Sequence, residues 1–140
     1  EDAPIEEGAA AHAAAADEGR RDRRVTQLRA RLRQILAAVR QMLPRLPRRR
    51  AVRGRGEAAA YLAHPVLGPR LVACVHAILG HADRSAVEIL GEVDAMKFRS
   101  CLTLFHAVAP GEACFANALQ VFYDGKPDAE TLRLLGPSAG

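Results

Sequence analysis

The chain has 140 residues, 49% apolar and only 4% aromatic, with 20 basic against 16 acidic side chains and a net charge of +4. That length suits one domain, the composition excludes collagen-like and disulfide-scaffold classes, and no apolar run approaches the roughly 20 residues of a membrane-spanning helix. The first 19 residues hold acids and no Lys or Arg, and the three cysteines, Cys74, Cys101 and Cys114, include no C-x-x-C pair. No secretory signal is expected, and the cysteines are expected to be buried, reduced thiols of a cytoplasmic protein.

Charge is strongly segregated along the chain. Residues 1–19 carry six acids and no base, residues 20–56 carry 14 arginines against the single acid Asp22, and residues 57–140 carry six basic and nine acidic side chains. The aromatics Tyr61, Phe98, Phe105, Phe115, Phe122 and Tyr123 all lie after residue 60. This break marks three segments with a boundary near residue 57. The first, 1–19, is rich in alanine, which favours helix. It has no apolar face to dock, so it is read as an acidic tail, mobile or weakly helical.

The second segment, 20–56, opens with an amphipathic helix. Val25, Leu28, Leu32, Ile35, Val39 and Met42 step alternately by three and four, which places them in one seam. Asp22 is the expected N-cap, and Pro44 and Pro47 stop the helix. The seam is too short to argue for a coiled coil, so it is expected to cover the rest of the domain. A homodimer paired through the same six residues is the alternative. A basic linker follows, carrying Arg48, Arg49, Arg50, Arg53 and Arg55. Guanidinium forks suit phosphates, but no aromatic is interleaved to stack on bases, so a solvated linker is preferred over a nucleic-acid surface.

The third segment, 57–140, reads as helical throughout. Glu57 to Ala63 forms a turn or two, closed before His64-Pro65. Pro69 opens the next helix at its first position, with Leu71, Val75, Ile78 and Leu79 on its apolar face and Gly80 at its end. Ser85 and Glu88 fit a capping box, and that short helix stops at Gly91. Asp94 is the expected cap of a helix bearing Phe98, Leu102, Phe105 and Val108, broken by Pro110-Gly111. Phe115, Leu119 and Phe122 mark a further helix ending at Asp124-Gly125. The last helix begins at Asp128 and carries Leu132 and Leu135. No stretch alternates long enough to be a strand. The expected fold is all-α, a small compact multi-helix domain with an Arg-rich amphipathic N-terminal helix.

Four ordered stretches in this segment resemble a bacterial family. They are Tyr61-Leu62-Ala63-His64-Pro65-Val66-Leu67-Gly68-Pro69-Arg70-Leu71, Ser85-Ala86-Val87-Glu88-Ile89-Leu90-Gly91, the run from Asp94-Ala95-Met96-Lys97 to Phe105, and Phe122-Tyr123-Asp124-Gly125-Lys126-Pro127-Asp128 followed by Thr131, Leu132, Leu135 and Gly136. The family is domain of unknown function eighteen-ten, whose members often carry the label "calpastatin". The resemblance covers about residues 57–136, with Arg49-Arg50-Ala51 as a weak backward extension, and implies an all-α single domain with no established activity. Calpastatin proper is a disordered inhibitor, whereas this segment is built to fold. The family's N-terminal half is aromatic-rich, and residues 1–48 here contain no aromatic at all. That front end is therefore read as a diverged or out-of-frame replacement.

Candidate chemistry is sparse. His64, before a proline, either caps a helix or faces a cleft. Asp94, Lys97, Ser100 and Thr103 step by three and share one helix face. Lys97 with Ser100 superficially resembles a base and nucleophile, but the order and spacing of a Ser-Lys hydrolase motif are absent. His76 and His81 lie five apart and do not form a metal pair. Gly54-Arg55-Gly56 lacks the length of a phosphate loop. No cofactor or metal is expected. The preferred function is a non-catalytic interaction or ligand-binding module, with His64, Asp94, Lys97, Ser100 and Thr103 as candidate binding residues. The alternatives are a nucleic-acid-associated protein acting through residues 20–56 and an enzyme using His64 with the Asp94-to-Thr103 face.

Overall fold

The computed structural model describes residues 3–42 and 48–136, and the side chains of 8–39 and 54–136. Its helices are α1 (Ala3–Met42), α2 (Arg48–Ala63), α3 (Leu67–Leu79), α4 (Ala86–Leu90), α5 (Glu92–Val108), α6 (Ala113–Tyr123) and α7 (Ala129–Leu135). There is no strand among the described residues, so the expected all-α class is the one observed.

The phenylalanine stripe of the sequence becomes the centre of the fold. Phe98, Cys101, Leu102, Leu104 and Phe105 on α5 are completely buried, and α1, α2, α4, α6 and α7 all pack against this helix. Phe105 is held between Tyr61 of α2, at a centroid distance of 5.8 Å, and Phe115 of α6, stacked at 5.6 Å. Such aromatic contacts add to what burial of the rings already contributes.

Helix α1 supplies the lid over this core. Val25, Leu28, Leu32, Ile35 and Val39 are buried, and Leu36 joins them beside the seam. These seam residues thus pack into the chain's own core. The side chain of Met42 lies outside the described residues. Arginines on α1 meet the acidic C-terminal segment: Arg21 pairs with Asp83 at 2.9 Å, Arg33 with Asp94 at 2.9 Å, and Arg29 donates to the Leu90 carbonyl at 3.3 Å. Asp22 is interior to a 40-residue helix rather than its N-cap, and its carboxylate meets Arg84 at 3.2 Å. The helix continues back to Ala3 because alanine carries it on intrinsic propensity. With no apolar face, residues 8–18 stay exposed.

The remaining elements follow their capping chemistry, with three shifted starts. Helix α2 begins at Arg48, inside the stretch expected as linker. The side chains of Arg48, Arg49, Arg50 and Arg53 lie outside the described residues. Arg55 donates to the carbonyls of Leu135 (3.3 Å) and Gly136 (3.1 Å) at the end of α7, where a cation suits the negative helix terminus. Helix α3 starts at Leu67, so Pro69 sits third in the helix, still within the turn that needs no N–H. Helix α5 starts at Glu92, with Gly91 at φ 83° before it, so Asp94 lies in the first turn and is not the cap. The Ser85–Glu88 capping box forms as expected. Among the described residues no single helix is long and apolar enough to cross a membrane.

Candidate ligand-binding groove

The five candidate residues from the sequence separate into three places. His64 is exposed, and its Nδ1 accepts from the backbone N–H groups of Val66 and Leu67, each at 3.1 Å. It caps the turn into α3 and faces no cleft shared with Asp94. Ser100 and Thr103 face α7. The Thr103 hydroxyl donates to the Arg99 carbonyl (2.7 Å) and accepts from the Asp128 N–H (2.9 Å). The Ser100 hydroxyl lies 3.3 Å from the Asp128 carboxylate, which also receives the Thr131 N–H and hydroxyl as the α7 N-cap. These two hydroxyls therefore brace a helix start.

Asp94 and Lys97 do line a cavity, an open groove of about 720 Å³ between α1 and the α4–α5 junction, shared with Arg29, Arg33 and Glu92. Its charges are largely answered from within. Asp94, with 14% of its side chain exposed, is paired with Arg33, and Arg29 is engaged by the Leu90 carbonyl.

A second groove of about 620 Å³ lies between α1, α2 and α3. Its apolar lining includes Leu28, Ile35, Tyr61, Leu67 and Cys74, and its polar lining is Arg31, Gln34 and Arg70. Both arginines are exposed, and among the described residues neither has an acidic partner within ion-pair distance. An apolar floor with a few converging polar groups is the usual make-up of a small-molecule site. Burial pushes the Cys74 thiol up to about 11, with nearby Arg31 pulling the other way. Burial also raises the Tyr61 phenol, opposed by Arg70. Both groups are therefore neutral near pH 7, and Cys74 is not a thiolate nucleophile.

No local spacing joins Arg31, Gln34, Tyr61, Arg70 and Cys74 into one site. Arg31 reads there as one of many solvated arginines, and Arg70 as a charge beside a proline. The α1 seam is the one relevant clue, since Arg31 lies three residues after Leu28 and four before Ile35 and so neighbours both on the helix surface.

The family model described as "Protein of unknown function (DUF1810)" matches residues 42–135. The chain belongs to this family. No curated protein and no solved structure matches the chain. The DUF1810 match begins at Met42, ahead of the resembling stretch at about residues 57–136, and takes in the whole of α2. It leaves out all of α1 but its last residue. One wall of each groove, Arg29 and Arg33 in the first and Leu28, Arg31, Gln34, Ile35 and Ala38 in the second, therefore lies outside the DUF1810 segment.

Proposed function

We propose that this DUF1810 chain is a non-catalytic ligand-binding module. Its groove between α1, α2 and α3 takes a small amphiphilic anion, an apolar body ending in a carboxylate or phosphate group. The observation that carries this reading is the pair Arg31 and Arg70 beside an apolar lining, neither matched by an acid among the described residues. The apolar body would cover Leu28, Ile35 and Leu67, and the anionic group would meet the guanidinium forks, which recognise such groups bidentately. The neutral Cys74 thiol supports binding over nucleophilic chemistry. The enzyme reading loses support because its residues do not converge: His64 caps a turn, while Ser100 and Thr103 brace α7.

Thermal unfolding with sodium octanoate, kept below its micellar range, tests the proposal against 1-octanol, which has the same chain without the charge. Octanoate is expected to raise Tm saturably, as mass action requires of a ligand that binds the folded state, and octanol to raise it far less. Arg31→Gln and Arg70→Gln are each expected to weaken octanoate binding about tenfold, the loss of one charged hydrogen bond at a partly wet site. Equal effects of acid and alcohol, or undiminished binding in the double variant, would overturn the assignment.

A further inference from the structure

Outside the lining of both grooves, the end of α3 and the start of α6 bring three different metal-ligating side chains together. One ligand atom from each of His76, Glu112 and Cys114 lies within 4.8 Å of the other two. His76 belongs to the last turn of α3 and is exposed. Glu112 occupies the N-cap position of α6, yet its side chain makes no capping hydrogen bond. Cys114, in the first turn of α6, is 1% exposed, and its sulfur lies beside the Glu112 carboxylate.

From this juxtaposition we infer a binding site for a divalent transition-metal ion, best matched by Zn²⁺, with a His76 ring nitrogen, a Glu112 carboxylate oxygen and the Cys114 sulfur as ligands. The donor set decides the class of ion. Mg²⁺ and Ca²⁺ take oxygen ligands, whereas a mixed nitrogen, oxygen and sulfur set is typical of Zn²⁺. Bonds of about 2.0–2.3 Å place tetrahedral ligand atoms within about 4 Å of each other. Rotation of the solvent-reaching His76 and Glu112 side chains closes the remaining gap while Cys114 stays in place. On binding, the Cys114 thiol releases its proton to solvent and no electron is transferred. Three protein ligands leave a fourth position for water. The ion would tie the end of α3 to the start of α6, two helices already packed together.

The test uses the full chain, free of any polyhistidine tag and kept reduced, titrated with Co²⁺ as a spectroscopic stand-in for Zn²⁺. One equivalent is expected to produce a sulfur-to-cobalt charge-transfer band, and Zn²⁺ is expected to displace it and raise Tm. His76→Ala and Glu112→Gln alter solvent-reaching side chains and keep the fold. Each is expected to weaken Zn²⁺ binding by about 100-fold or more, since even loss of an outer partner of a ligand costs 10–100-fold. Cys114→Ser is expected to abolish the band, and Cys74→Ala to retain it. No band with wild-type chain, or a band that survives Cys114→Ser or is unaffected by His76→Ala, would overturn the assignment.

Discussion

A Cβ at Gly68 would overlap the backbone carbonyl of Leu62. That contact sets how closely the start of α3 packs on the end of α2, with the Gly68 N–H bonded to the His64 carbonyl at 3.1 Å. Backbone cannot rotate away as a side chain can, so Gly68→Ala is expected to destabilise by about 1–3 kcal/mol, as overpacking does, read from the urea midpoint. An unchanged midpoint would mean the turn has slack. The thiols give a pH signature. Burial raises Cys74 and Cys114 to about 11 from an ordinary 9.0. Below about pH 9 both folded and unfolded chains hold these protons, and the contribution to stability is complete. As pH rises from about 9 through about 11 the unfolded thiols ionise ahead of the folded ones, so stability falls. Urea unfolding is therefore expected to be flat near neutral pH and to decline in alkali, more shallowly in Cys74→Ala than in wild type. At this scale the sequence was partly legible. Ser85 and Glu88 read directly because a capping box is local. His64 read as either cap or cleft residue because its partners, the Val66 and Leu67 N–H groups, depend on how the turn closes.

At the scale of elements, α1 divides into a buried half and an exposed one. Leu32 is completely buried in the core, so Leu32→Ala is expected to cost about 2–5 kcal/mol. Removing residues 1–16 takes away only exposed or undescribed side chains and is expected to leave Tm within about 2 °C. A truncated chain that melts as early as Leu32→Ala would show that the acidic segment packs on the domain. The seam was legible because a face buried on one side leaves a 3.6-residue period in the sequence. The helix ends were not. Around Ala9 to Ala16 and Arg48 to Gly56 nothing apolar is periodic, and helix there follows from propensity and from continuation of a neighbouring packed turn. Arg55 illustrates this: in sequence it belongs to a basic run, and in the fold it holds the last carbonyls of α7.

For the whole molecule, the segregated charges become complementary surfaces. Arg21, Arg29 and Arg33 of the basic segment reach Asp83, Leu90 and Asp94 of the acidic one, while Arg31, on another side of α1, is left beside the groove. Which arginine is matched and which is not depends on helix packing, so neither groove could be read from the chain. The same holds for His76, which reaches Glu112 and Cys114 at the start of α6 from the end of α3. In the proposed reading, the DUF1810 segment and α1 together build a groove for an amphiphilic anion. Amide chemical-shift mapping of the isotopically labelled chain during octanoate titration tests it most directly. Saturable shifts are expected at Leu28, Arg31, Leu67, Arg70 and Cys74, with Gly91 to Lys97 unmoved. Shifts concentrated at Gly91 to Lys97, or none that saturate, would contradict it.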